Sequence, residues 1–236
     1  MARKLDNPFV ARIIGKKWIS SSIIRLVFGG DGLAGFKSLG IADEWIRFVF
    51  RIGHTYTTRP YTVRYWDAQT LQMTVDIIMH DGGIAADWAS SALIGSLIEF
   101  TGPEGRYQPP HSISWVLLLA DITGLPAAGR IIETSPRSVV IHSHICLPDM
   151  RDMQRDLEHE HSSLITWHRD THGGPAAAPL SQIAKNVVLP EGEGYIWIAG
   201  EANQVADARA HFRDEKDFDK NRITAIGYWF EGRPRE

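Results

Sequence analysis

Arg59-Pro60-Tyr61-Thr62, followed at once by Val63-Arg64-Tyr65, crowds guanidinium groups, hydroxyls and aromatic rings into seven consecutive residues. A half-buried strand needs only apolar and polar residues in alternation. The density here points to something polar lying against the segment, and Pro60 restricts it to a strand start or a sheet edge. A second group is Gly82-Gly83 in HDGGIAADWA, where a Gly pair before a short helix lets backbone N–H groups converge on a phosphate. Thr123-Gly124 in ADITGLPAAG and Gly200-Glu201 in IAGEANQV each stand between an apolar run and a helical segment. That is the carboxyl end of a strand, where open α/β sheets bind ligands. No GxGxxG accompanies either, so a dinucleotide would not be held in the Rossmann manner.

The histidines of IHSHIC (His142, His144) and EHEHSSLITWHRDTH (His159, His161, His168, His172) include a His-x-His pair, which puts two imidazoles on one strand face as a metal site would require. Such spacing recurs by chance, and Glu158 and Glu160 read as a solvated helix end, so no metal is expected. Ser/His/Asp and Cys/His arrangements with recognisable local context are absent.

The elements that must position these groups fall into two kinds. Up to about residue 108 the chain reads as short β-segments, FVARIIGKKWI, SIIRLVFGG, EWIRFVF, YTVRYW, LQMTVDIIM and SLIEFTGP, separated by Gly, Asp and Asn turns, which predicts an antiparallel barrel. Leu71, Met73, Val75, Ile77 and Met79 alternate with Gln72, Thr74 and Asp76, one face inward and one outward. After GPEGRYQPPHS, with a boundary near 108–112, strand and helix alternate through WVLLLAD, GLPAAGRIIETS, SVVIHSHIC, LITWH, GYIWIAGE, NQVADARAHFRDEK and RITAIGYWF, which predicts a parallel sheet covered by helices. The 236 residues can bury a sizeable core without staples. A single cysteine, Cys146, excludes an internal disulfide, and the opening MARKLDNPFV lacks the apolar stretch of a signal peptide, so a reducing cytoplasm is expected. A net charge of −3, without a basic footprint, argues against nucleic acid as a partner while leaving room for a local basic pocket for a small anion, and no apolar run reaches membrane-spanning length.

The barrel-then-α/β order, carried by RPYTVRYWD, HDGGIAADWASSALIGSLIEFTGPEGRY, LLLADITGLPAAGRIIE, WIAGEANQVADARAHFRDE and GYWFEGR, resembles the siderophore-interacting, FAD-binding family of ferredoxin-reductase-like flavoenzymes over nearly the whole chain. The resemblance implies an N-terminal antiparallel FAD-binding β-barrel, residues 1–108, and a C-terminal α/β NAD(P)H-binding-like domain, residues 112–236, with a mostly parallel sheet. It implies that Arg59 supplies a fixed guanidinium to the FAD pyrophosphate, that Tyr61 lies against the isoalloxazine or ribityl, and that Thr62, with Val63 beside it, hydrogen-bonds near flavin N5. His80, Gly82, Gly83, Ile84, Ala85 and Ala86 would line the pyrophosphate and ribityl region. Ile84-Ala85-Ala86 stand where the family usually has Pro-Ala-Ser/Thr, and the missing hydroxyl removes at most one phosphate hydrogen bond, a net effect of about 1 kcal/mol.

On the same resemblance, Thr123 and Gly124 would face the nicotinamide side of the donor, with Pro126 opening the helix at its first position. Gly200-Glu201 would form the floor under the donor, with Glu201 in contact, and Tyr228 or Trp229 would stand near the flavin face. Arg47 and Arg130 would bind the anionic chelate. The implied activity is reduction of Fe(III) in a ferric siderophore, releasing Fe(II), with NAD(P)H or ferredoxin as electron donor, by a cytoplasmic monomer. Two other readings stay open: a ferredoxin-reductase-like flavin oxidoreductase serving another redox partner, and a non-enzymatic siderophore-binding module.

Overall fold

The structure is a computed structural model and describes residues 8–159, 163–169 and 179–232. The backbone divides after Arg106 into two compact units.

The first unit holds β1 (Phe9–Trp18), β2 (Ile23–Gly29), β3 (Trp45–Ile52), β4 (Thr55–Thr62), β5 (Tyr65–Asp67), β6 (Gln72–Ile78), α1 (Ile84–Ser91) and β7 (Leu97–Glu104). The strands form one sheet in the order β4-β3-β7-β1-β2-β6-β5, each neighbouring pair antiparallel. Its two edges, β4 and β5, are consecutive in the chain and separated only by Val63-Arg64. The Val63 N–H donates to the carbonyl of Glu44, next to β3, at 2.8 Å, and the Arg64 N–H donates to the carbonyl of Thr74 in β6 at 2.9 Å. The sheet therefore curls into a half-barrel whose two edges meet at a two-residue step. Arg59-Pro60-Tyr61-Thr62 end a strand that starts at Thr55 and do not open one, a correction to the sequence reading. Pro60 is accommodated because β4 is an edge.

Phe28, Phe48 and Phe100 are fully buried inside the half-barrel with Met73, Val75 and Ile77, the inward set of β6. Asp76, on the other face of β6, is also buried, and its carboxylate accepts two 2.7 Å bonds from Arg25, its cross-strand partner on β2. Arg64 is buried beside it, Nε 3.9 Å from the same carboxylate. Tyr61 and Trp88 of α1 both lie against Phe48, at ring-centre distances of 5.5 and 6.1 Å, so one phenylalanine ties the end of β4 to the helix.

The second unit is a five-stranded parallel sheet of β8 (Trp115–Asp121), β9 (Val140–Leu147), β10 (Ser163–Arg169), β11 (Gly194–Glu201) and β12 (Ile223–Trp229), in the order β10-β9-β8-β11-β12. Its helices are α2 (Leu125–Thr134), α3 (Leu180–Asn186) and α4 (Ala202–Ala210). Every residue of β8 and β11 is buried, as an uninterrupted apolar strand between two helical layers must be. The chain leaves β8 toward β9 on one side and later returns to β11 on the other, which makes the gap between the carboxyl ends of β8 and β11 the switch point of the sheet. Among the described residues no helix is long and apolar enough to cross a membrane.

Asp76 balances the positive charge of Arg25 and lies beside Arg64, so removing its charge strands guanidinium groups in a largely closed site. Asp76→Asn is expected to lower stability by about 3 kcal/mol. Urea unfolding at neutral pH followed by tryptophan fluorescence checks this; an unchanged midpoint would show that the carboxylate contributes nothing.

Candidate functional site

On β4, Arg59 and Tyr61 are two residues apart and share the strand face whose cross-strand partners are Phe48 and Ile46. Arg59 is half-buried, and its Nη1 donates to Thr57 Oγ1 at 2.7 Å and to the Thr58 carbonyl at 2.9 Å. Those bonds fold the guanidinium back along its own strand and use one nitrogen only. Its Nε and Nη2 make no hydrogen bond among the described residues. Burial pushes the Tyr61 phenol up to about 12, with the nearby Arg59 charge pulling the other way. Tyr61 therefore stays a neutral ring with a polar tip. Thr62 is buried on the opposite face, so its side chain does not lie with Arg59 and Tyr61, whereas Val63 is fully buried in the core that Tyr61 packs against.

At the start of α1, Gly82 adopts a positive φ of 71° and Gly83 is the N-cap, with no side-chain cap bond. The exposed His80 ring lies directly over Gly83: a Cβ there would sit 2.5 Å from His80 Cε1. Glycine is what lets the imidazole close down on the helix start. Ala85 and Ala86 are buried and Ile84 is half-buried, so this end of the helix can offer its uncapped backbone N–H groups rather than side-chain hydroxyls. An uncapped helix start, an imidazole and a guanidinium with free donors all suit an anionic group such as a pyrophosphate.

In the second unit Asp121, at the end of β8, is buried and accepts four bonds. Thr123 donates its N–H at 2.8 Å and its hydroxyl at 2.5 Å to Oδ1; the Glu201 N–H donates at 2.9 Å and the Trp229 indole N–H at 2.7 Å to Oδ2. Burial pushes the Asp121 carboxyl up, and the four donations pull it down. The sequence reading singled out Thr123, Glu201 and Trp229 separately and passed over the acid that joins them. The Asp-x-Thr spacing, a familiar side-chain-to-backbone turn, was the available signal. Gly124 caps α2 in a tight space, since a Cβ would lie 3.0 Å from Ala120 Cβ and 3.1 Å from the Ala199 carbonyl and would press both neighbours aside. The helix begins at Leu125, which makes Pro126 its second residue and not the first, still within the turn where an N–H needs no partner.

Glu201 is buried and caps α4, accepting from the Gln204 N–H at 2.9 Å and from the Asn203 side chain at 3.2 Å. Its carboxylate is thus committed within the chain. Arg47 is likewise paired, through Nε and Nη2, with Glu104 at 2.7 and 3.3 Å, while Arg130 lies on α2 in the other unit. His142 and His144 share a face of β9, and His168 on β10 places Nε2 3.0 Å from His144 Nδ1. Burial, then the neighbouring His168 and His142, push His144 down to about 4; burial lowers His142 and His168 as well. No group of three or more potential metal-binding side chains converges among the described residues, and His161 and His172 lie outside them.

Two family models match the chain: a siderophore-interacting FAD-binding domain over residues 51–107 and a siderophore-interacting protein over residues 113–232. The chain is 30% identical to the NADPH-dependent ferric-chelate reductase of Escherichia coli (strain K12), over 89% of this chain and 88% of that protein. It is 26% identical to the ferric vibriobactin reductase ViuB of Vibrio cholerae, over 97% and 92%. Among solved structures, a siderophore utilization protein from T. fusca superposes with a TM-score of 0.87 at 25% identity, covering 97% of this chain and 95% of that one. A ferredoxin NADP+ reductase from Neisseria gonorrhoeae shares the fold, with a TM-score of 0.73 at 14% identity over 95% and 100% of the two chains.

In Asp121→Asn one oxygen becomes an amide donor. Turned toward Thr123 it can still give its hydrogen to the hydroxyl, but the Thr123 N–H loses its acceptor. The expected loss is about 1–3 kcal/mol, read from the urea midpoint of the full chain. A variant as stable as the parent would remove Asp121 as the organiser of this end of the sheet.

Proposed function

Since this chain belongs to the siderophore-interacting protein family, we propose that it is an FAD-dependent ferric-siderophore reductase, taking electrons from NAD(P)H or ferredoxin and releasing the iron as Fe(II). The observation that carries the reading is the pairing at the end of β4 and the start of α1: a partly committed Arg59 on an edge strand, and a helix start left uncapped beneath His80. Arg59 would hold the pyrophosphate through its free Nε and Nη2, and the N–H groups of Ile84, Ala85 and Ala86 would complete that anion site. Tyr61, kept neutral, would give the flavin an aromatic surface. When bound, the flavin supplies the conversion between the two electrons of a hydride and the single electron that ferric iron accepts.

The second unit has the donor side of the task. Thr123, Gly124, Glu201 and Trp229 stand at the carboxyl ends of β8, β11 and β12, held by Asp121, and would shape the place where a nicotinamide enters. Their contribution is position and exclusion of water; no residue there needs to exchange a proton with the iron complex. Arg47 and Arg130 are the proposed basic contacts for an anionic chelate, and the Glu104 partner of Arg47 weakens that charge.

The cofactor part is tested by extracting flavin from purified protein and identifying it by chromatography. FAD is expected, with at least about tenfold weaker retention in Arg59→Ala, the loss of roughly one charge-assisted bond; FMN as the sole species, or full retention in the variant, would overturn it. The iron part is tested by stopped-flow reoxidation of anaerobically reduced protein with a ferric siderophore. Reoxidation should slow in Arg47→Ala/Arg130→Ala and at high salt, and should quicken in Glu104→Gln, which releases the Arg47 charge. A reduced protein that ferric siderophores do not reoxidise would sink the proposed activity.

A further inference from the structure

Away from both groups of site residues, β8, β9 and β10 of the second unit expose a pocket of about 400 Å3 lined by Leu117, His142, His144, His168, Ile183 and Asn186, among others. Three imidazoles on adjacent strands share this pocket, and the residues lining it include no carboxylate. A half-buried histidine commonly hydrogen-bonds a backbone carbonyl or an acid. Here His144 and His168 turn a nitrogen toward each other instead, Nδ1 to Nε2 at 3.0 Å, with ring centres 5.2 Å apart. Two imidazole nitrogens bound at right angles to one ion, each at about 2.1 Å, stand about 3.0 Å apart; the two rings here meet end to end, so sharing an ion requires each to tilt its lone pair off the line between them.

From this juxtaposition we propose that His144 Nδ1 and His168 Nε2 form a two-nitrogen seat for a divalent first-row transition ion, with His142 lining the same pocket but not converging on the pair. In the ion-free pair one ring donates its N–H to the other. For both nitrogens to ligate, the donating ring moves that proton to its other nitrogen, with no net gain or loss. Imidazole ligands without thiolate or carboxylate select the later ions, Fe(II) to Cu(II) and Zn(II), over Mg(II) and Ca(II). Two protein nitrogens leave the other coordination positions to water, and the pocket has room for it, so the ion is bound reversibly and exchanges. The site owes nothing to the flavin reading, since its ligands lie in the second unit alone.

The test uses Cu(II) as the probe, titrated into the purified protein in a non-coordinating buffer and followed by calorimetry and electron paramagnetic resonance. One ion per chain is expected, with a signal split by imidazole nitrogens. His144→Gln and His168→Gln should each weaken binding by at least about tenfold, the loss that even an outer-shell change produces at a metal site. Exposed His54 serves as the control, and His54→Gln should bind as the parent does. An unchanged urea-unfolding midpoint confirms that each variant is folded. If His144→Gln fails to fold, His168→Gln on the edge strand decides the matter alone. Unchanged affinity in a folded variant of either ligand, a loss in His54→Gln equal to theirs, or no stoichiometric binding by the parent overturns the assignment.

Discussion

Everything in the first unit depends on the two-residue step at Val63-Arg64. A sheet that curls until its edges meet needs its last strands held in register, because a slip of one residue would send every side chain to the opposite face. The backbone N–H groups of Val63 and Arg64 reach to opposite sides of the seam and fix that register from both. The Arg59 and Tyr61 face is therefore settled by bonds made just beyond them. The same step explains why two arginines five residues apart have unlike roles: Arg59 precedes the seam and keeps free donors, whereas Arg64 lies within it and is buried beside Asp76.

The second unit solves a different problem, that of bringing a helix start close to two central strands. Ala120 and Ala199 are cross-strand partners on β8 and β11, both fully buried, and their small side chains leave the hollow that Gly124 fills. The helix thereby begins at the switch point itself. Glu201 then caps the next helix from the end of β11, its carboxylate satisfying backbone donors. Long acidic side chains are less usual caps than Asp or Ser, and the sequence gives no simple sign that this one bends back to do it.

The division into β-rich and alternating β/α parts was legible because the two have different hydrophobic periods, and β8 and β11 declared their burial by uninterrupted apolar runs. Pro60 marked an edge correctly, yet the strand that contains it was read as starting where it ends, since Thr55, Thr57 and Thr58 carry a weak pattern on an edge whose outer side is unpaired. α3 escaped notice, being only seven residues long and without a side-chain cap. At the candidate site the individual residues were found through their motifs, whereas what connects them was not. The bond from Trp229 to Asp121 spans more than a hundred residues, and no local spacing announces it. The same holds for Arg25 and Asp76, which are recognisable as a pair only once β2 and β6 are neighbours.

Asp121 also makes distant segments share one fate. Its two oxygens hold the amide hydrogens of Thr123 and Glu201, which are 78 positions apart in the chain, together with the indole of Trp229. Opening any one of these ends exposes the carboxylate to water and weakens its hold on the others, so the loop after β8 and the ends of β11 and β12 should open together as one cooperative unit. In amide hydrogen exchange Thr123 and Glu201 would then report a single opening free energy, whereas ordinary loop amides exchange independently, and a ligand that closes over one of the three ends would quieten all of them.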